Sequence, residues 1–286
     1  MTQLRVEVNK GEKLSLKNDG NLELFFIGVG SAFAMKNFQT NLLIIKGDQH
    51  VMVDFGMTGP TALAATAGLT PNDIEVVLPT HSHADHVGGL ECLALMNRYV
   101  GQKFMGKPKV KAVIAEEWQR LLWDCTLRGG LEWNEEVDGS HKKLVFSDYF
   151  DVIRPTWLVH QPREVFKVNI GGIELELFRT KHIPEQAPGW ETSFVSFGLM
   201  IDNKVFFSGD TKFDRDLIDM YADRSEVMFH DVQFFPGAVH APLTDLNTLP
   251  ARIKEKMLLM HIADNFDTQD IRGFAGYAKQ GVRYIF

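Results

Sequence analysis

The chain has 286 residues, 45% of them apolar and 23% charged, enough to enclose the core of one α/β domain. Its net charge of −7 counts against a long nucleic acid as partner, because proteins that grip a polyanion usually carry a basic excess, and so favours a small substrate. Two cysteines, Cys92 and Cys125, exclude a disulfide framework and match no zinc ribbon, and no apolar run approaches the length of a membrane span.

The opening stretch is polar and has no signal-peptide core, so a soluble, cytoplasmic protein is expected. Leu22–Ile27 reads as a strand that runs into a glycine turn, Gly28-Val29-Gly30-Ser31. Asn41–Ile45 and His50–Asp54 form a predicted hairpin about Gly47-Asp48. A helix is predicted over Gly59–Ala67, then a buried strand, Val76-Val77-Leu78, then a second helix over Gly88–Val100. From about Trp118 to Val165 the pattern loses its period and carries Trp118, Trp123, Trp133 and Trp157. It reads as an insertion at about 118–165 beside the active site, although ordinary helix and loop with aromatic core residues fits equally well.

Strand signals resume at Val165–Ile170, Ile173–Arg179, Ser193–Ile201 and Lys204–Ser208, with a hairpin turn at Asn203-Lys204. Phe213–Ala222 reads as a helix and Val227–Asp231 as a strand. Leu246–Ile253 reads as a helix, Met257–His261 as a strand and Asp267–Tyr277 as a last helix. The sum predicts one domain, 1–286, with two sheets packed face to face and helices outside.

The chemistry is concentrated in His81-Ser82-His83-Ala84-Asp85-His86. Residues two apart on an extended strand end point to the same side, which aligns His81 and His83. Asp85 and His86 follow where a turn can fold them back, and Gly88-Gly89 lets the chain swing into a helix. Imidazole and carboxylate are the donors that catalytic zinc sites use while leaving a position for water. Two metals need further ligands, and three candidates stand at strand ends: His182, Asp210 and His261. Each alone would read as a loop histidine or a helix cap. Their shared placement at the C-terminal ends of apolar strands groups them.

The order HxHxDH, then His182, then Gly209-Asp210-Thr211, then His261 resembles the metallo-β-lactamase superfamily, and within it the ribonuclease Z-like phosphodiesterases. Gly28-Val29-Gly30-Ser31-Ala32 with Asn41 is similar to that group's first motif, and Val53-Asp54-Phe55-Gly56 to its second-strand motif. The likeness runs from about Leu22 to about Asp264, except between His86 and His182. It implies an αββα sandwich holding two Zn2+, with Mn2+ as an alternative because His and Asp sites accept both. By the resemblance, His81, His83 and His182 hold one ion, Asp85, His86 and His261 the other, and Asp210 bridges them. Water made acidic by coordination is then the nucleophile, oriented by Asp85. Asp54 reads equally well as an acceptor for a ligand histidine or as a strand-end turn residue.

The same group carries a histidine–acid motif and a later histidine that serve the leaving group. Phe229-His230-Asp231-Val232 and Val239-His240-Ala241-Pro242 stand at those places. His240 is then the proton donor and Asp231 its partner, since phosphodiester cleavage expels an alkoxide that needs a proton. The chain departs from the pattern with Asp for Glu and Ala-Pro for Ser-Thr, which alters the reach of the pair. His230 reads as a supporting residue, and His50, His141 and His160 as structural or surface positions.

The resemblance implies a dinuclear zinc phosphodiesterase acting on a small phosphodiester, with a 3′,5′-cyclic nucleotide as the expected substrate. Relatives implied by the resemblance include bacterial cyclic phosphodiesterases and the phage anti-Pycsar proteins, which degrade cyclic nucleotide signals; a homodimer is usual among them. A transfer RNA 3′-processing endoribonuclease is the second hypothesis. It is opposed by the acidic charge and by Ala32-Phe33-Ala34-Met35-Lys36-Asn37, where that enzyme has a proline and an arginine. A lactone or thioester hydrolase of the same fold is the third.

Overall fold

The protein is described by a computed structural model covering residues 5–137 and 139–286. Two eight-stranded sheets carry the fold. The first runs, in spatial order, Arg5–Val8, Val282–Ile285, Glu23–Gly28, Asn41–Lys46, Gln49–Val53, Val76–Leu78, Val110–Val113 and Phe150–Ile153. The second runs Thr156–Val159, Val165–Ile170, Ile173–Arg179, Phe197–Ile201, Val205–Phe207, Val227–Asp231, Met257–Met260 and Gly276–Tyr277. Each begins as an antiparallel meander and ends in strands paired in parallel.

The strand alternation explains the layering. On Val205–Phe207, Phe207 points to the first sheet and meets Phe26, while Phe206 points outward and meets Phe178 and Tyr221. Phe26 also packs on Phe229, with ring centroids 4.9 Å apart. The inner faces are therefore apolar against one another, and the outer face of the second sheet is covered by the helix Arg215–Ala222 through Tyr221. Strands buried on both faces carry continuous apolar runs rather than alternating ones, as in residues 24–27 of the first sheet and 227–229 of the second. The result is the αββα sandwich.

Most predicted elements form where expected. Gly59–Ala67, Val76–Leu78, Val165–Ile170, Ile173–Arg179 and Val227–Asp231 have the predicted bounds. The 118–165 stretch is woven into both sheets: Phe150–Ile153 is the outer strand of one and Thr156–Val159 of the other. Asp267–Tyr277 is not a helix. One 3-10 turn, Phe266–Thr268, gives way to irregular chain and the edge strand Gly276–Tyr277. Gly273 and Gly276 adopt φ of 94° and 134°, which no right-handed helix contains. Leu246–Ile253 is likewise split into Leu243–Leu246 and Ala251–Lys254, because Pro250 lacks the N–H that a helix interior needs. Among the described residues no helix is long and apolar enough to cross a membrane.

Candidate metal centre

In open α/β sheets ligands gather beyond the carboxyl ends of the strands, and the polar residues collect there. Asp54 follows Gln49–Val53, His81 follows Val76–Leu78, Asp210 follows Val205–Phe207, Asp231 ends its strand and His261 follows Met257–Met260. His182 follows Ile173–Arg179.

Two glycines permit the close approaches this needs. A Cβ on Gly56 would lie 1.9 Å from the carbonyl oxygen of Asp85. Only glycine lets the Val53-Asp54-Phe55-Gly56 segment lie so near the histidine loop, where Phe55 N–H donates to His86 O and Met57 N–H to Ala84 O. Asn41 fixes the same turn by accepting from Gly56 N–H at 2.7 Å. Gly209 has φ of 57°, and a Cβ on it would lie 2.4 Å from Phe197 O. That left-handed turn swings Asp210 off the strand end into the cluster.

All seven predicted ligands converge. His83 Nδ1 lies 3.1 Å from both His81 Nε2 and His182 Nε2. Asp85 Oδ2 lies 3.2 Å from both His86 Nε2 and His261 Nε2. Asp210 Oδ2 is 3.2 Å from His86 Nε2, 3.4 Å from His261 Nε2, 3.7 Å from His81 Nε2 and 3.9 Å from His182 Nε2. One carboxylate oxygen thus reaches both sets. The donors fall into two groups, His81, His83, His182 with Asp210 and Asp85, His86, His261 with Asp210, each able to hold a metal ion.

The far nitrogen of each ring decides which nitrogen faces the cluster. His86 Nδ1 is 2.7 Å from Asp54 Oδ2, and His182 Nδ1 donates to Val239 O at 2.9 Å. Thr80 Oγ1 donates to Asp54 Oδ2 at 2.8 Å, which leaves it accepting from His81 Nδ1 at 3.1 Å. Asp54 therefore orients two histidines, one directly and one through Thr80. Nothing in the motif pattern marks Thr80 or the Val239 carbonyl, and both were missed in the sequence.

The donor set fits divalent cations. His86 Nε2 and Asp210 Oδ2 are buried 3.2 Å apart, yet neither makes a well-aligned hydrogen bond to the other or to any other group, an arrangement that costs free energy unless a cation satisfies them. Burial, aided by the neighbouring His86 charge and only partly offset by Asp210, holds His81 far below the ordinary imidazole range. Burial likewise lowers His182 to about 4. Both rings are neutral at pH 7 with a lone pair on Nε2. Burial opposes ionisation of Asp85 and Asp210, but His86 and His261 outweigh it and hold both carboxyls well below the usual range. The same carboxylates, with Asp54, raise His86 against its own burial. So much negative charge around one imidazole is what a cation would neutralise.

His240 stands over the cluster, its ring centroid 4.5 Å from that of His261 and 5.1 Å from that of His182. Its Nδ1 is 2.9 Å from Asp231 Oδ2, which also accepts from Thr211 N–H at 3.1 Å. The aspartate, though shorter than the glutamate of the resembling motif, reaches. Burial works against charge on His240, yet the Asp231 hydrogen bond and the Asp210 and Asp231 charges raise it above the usual range. His230 is buried beneath, with Nδ1 donating to Asp231 O. His50 accepts from Glu75 N–H and His160 packs on Trp190, both away from the cluster; the side chain of His141 lies outside the described residues. Trp118 is buried and donates to Pro79 O at 2.9 Å, bracing the histidine loop from behind.

The profile of the anti-Pycsar protein Apyc1 family matches residues 22–284. The chain belongs to this family. It is similar to the Apyc1 protein of Bacillus phage BSP38, 34% identical over 267 residues that span 92% of this chain and 98% of that one. It is 36% identical over 263 residues to the Apyc1 protein of Paenibacillus sp. (strain J14), spanning 89% and 94%. Among solved structures it resembles the metallo-β-lactamase fold protein YhfI from Bacillus subtilis, with a TM-score of 0.65 at 15% identity over 93% of this chain and 100% of that one. Human tRNase Z, short form, aligns with a TM-score of 0.59 at 13% identity over 90% and 96%. Membership in the Apyc1 family and the metallo-β-lactamase fold agree with what the motifs predict.

Asp54 gives a first test of the centre. Asp54→Asn keeps the shape, and asparagine tolerates the left-handed φ of 61° at this position. The loss is then of charge and acceptor capacity, not of backbone geometry. Metal affinity measured by competition with a chromophoric chelator should fall roughly 10–100-fold, with the fold intact by circular dichroism. An unchanged affinity would remove Asp54 from any role in orienting the ligands.

Proposed function

We propose that this Apyc1 family chain is a dinuclear phosphodiesterase that hydrolyses a 3′,5′-cyclic nucleotide. The observation that carries the proposal is the placing of the Asp231–His240 pair directly over the two donor groups that share Asp210. His81, His83, His182 and Asp210 would hold one Zn2+, and Asp85, His86, His261 and Asp210 the other; with no thiolate present, Mn2+ would also suit the set. When bound, the ions would supply positive charge for the phosphate oxygens and lower the pKa of an attacking water.

The chain's own residues do the rest. Asp85, ionised and flanked by His86 and His261, is placed to accept a hydrogen bond from the attacking water and to aim it. His240, with Nδ1 engaged by Asp231, has Nε2 left for the cavity it lines. It donates a proton from there to the departing ribose oxygen. Asp231 stabilises the imidazolium before the transfer and fixes its orientation. The reading extends to a cytoplasmic homodimer; light scattering of the purified protein tests the dimer.

Cyclic mononucleotides, linear phosphodiesters, a precursor transfer RNA and lactones should be compared as substrates with and without a chelator. Chelator-sensitive turnover of cyclic nucleotides supports the proposal. Turnover of lactones alone, or of precursor RNA alone, would overturn it.

A further inference from the structure

Beside the cluster lies a second chemical environment. A cavity of about 490 Å3 opens against His240 and His261, within the roughly 300–1,000 Å3 common for small-molecule sites. Its lining is largely apolar and includes Phe33, Phe234 and Phe235. Phe33 is 92% exposed and Phe235 58% exposed, so neither ring contributes much to the core. None of the tryptophans of 118–165 lines it.

The two loops that carry Phe33 and Phe235 are both fastened. The Phe33 loop is held by Asp264, whose carboxylate accepts from Met35 N–H at 3.0 Å and Lys36 N–H at 2.9 Å. Ser31 N–H donates to Ile262 O, tying the same loop to the strand end that carries His261. The Phe235 loop is held by Gln233, whose side-chain amide donates to the carbonyls of Phe235 and Gly237. Exposed aromatic rings on a fixed backbone offer stacking surface at little ordering cost.

We infer that Phe33 and Phe235 form the slot that takes the nucleobase while the phosphate lies on the donor cluster. This rests on the phosphodiesterase reading above and extends it from the reacting phosphate to the part of the substrate that does not react. A planar base matches the chemistry: it has two π faces to stack, and it is tethered to the phosphate by one ribose. His240 and His261 belong to both environments, so a ligand in the slot is continuous with the place where the leaving oxygen needs its proton.

The test compares Phe33→Ala and Phe235→Ala with the unaltered protein on two substrates, a 3′,5′-cyclic nucleotide and the base-free 1-O-methylribose 3′,5′-cyclic phosphate. Stacking is lost in these variants, so KM for the nucleotide should rise roughly tenfold. The preference for nucleotide over the base-free compound, as a ratio of kcat/KM, should shrink by about the same factor. Phe33→Trp and Phe235→Tyr, which keep a ring, should restore the preference and so exclude a general loss of fold. An unchanged preference in both alanine variants, or no rescue by the aromatic ones, overturns the slot. Absence of turnover on any cyclic nucleotide by the unaltered protein would instead overturn the phosphodiesterase reading, and the slot with it.

Discussion

Asp210→Asn should leave a folded protein that binds fewer than two metal ions per chain and has lost at least about a thousandfold in hydrolysis. The size follows from what one oxygen is asked to do. Asp210 Oδ2 is the atom common to both donor groups, within 3.9 Å of five imidazole nitrogens, four of them on His81, His86, His182 and His261 and the fifth on His240. An amide of the same shape either turns an N–H2 to that place, which cannot ligate, or offers a neutral oxygen in place of an anion. Charge stabilisation by a metal contributes several kcal/mol to such reactions, and about 4 kcal/mol is a factor of about a thousand in rate. Metal content by atomic emission and kcat on the preferred substrate are the measurements. The exposed Asp219→Asn is the matched control for a lost carboxylate elsewhere. A variant with two ions and an intact rate would show that Asp210 bridges nothing.

How much of this was legible in the sequence depends on whether the signal is local. His81, His83, Asp85 and His86 sit within six residues, and the pattern of a strand end running into a helix says where they point. Val76–Leu78 and Val227–Asp231 were legible because buried parallel strands are short apolar runs with clear ends. The Asp267–Tyr277 error came from following the polar and apolar spacing past two glycines that the chain uses at positive φ. The strands Arg5–Val8 and Val282–Ile285 went unread because both depend on pairings far apart in the chain: Val282–Ile285 lies between Glu23–Gly28 and Arg5–Val8, and Arg5–Val8 pairs with it as an edge strand. Neither carries a period strong enough to announce itself alone. Asp54 was half legible: its motif marks it, but its second task, acting on His81 through Thr80, exists only in three dimensions. The carbonyl that orients His182 belongs to Val239, and a backbone oxygen leaves no mark in the side-chain sequence. Phe33 and Phe235 were hidden for a related reason. An exposed phenylalanine in a loop is ordinary until another loop, some two hundred residues away, brings a second one to the same cavity.

His240→Ala should cost roughly 10²–10⁴ in kcat on a cyclic nucleotide, the usual worth of a general acid. It should cost far less on a p-nitrophenyl phosphodiester. The difference comes from the leaving group. A ribose oxygen departs as a strongly basic alkoxide and needs a proton in the transition state, whereas nitrophenolate is stable without one. Asp231→Asn adds a test with a sign. Asp231 raises His240 above the ordinary imidazole range by its hydrogen bond and its charge. Removing that charge lowers the pKa of His240, so the acidic form is lost at lower pH and the alkaline limb of the kcat profile should move towards acid. A merely structural Asp231 would lower the rate at every pH without moving the limb. Equal losses on both substrates after His240→Ala would show that the ring helps to bind the phosphate or to shape the metal centre, and that the proton reaches the leaving oxygen from elsewhere. A loss confined to the alkoxide substrate, with the limb shifted by Asp231→Asn, would leave His240 Nε2 as the donor, because no packing defect distinguishes substrates by the basicity of the group they release.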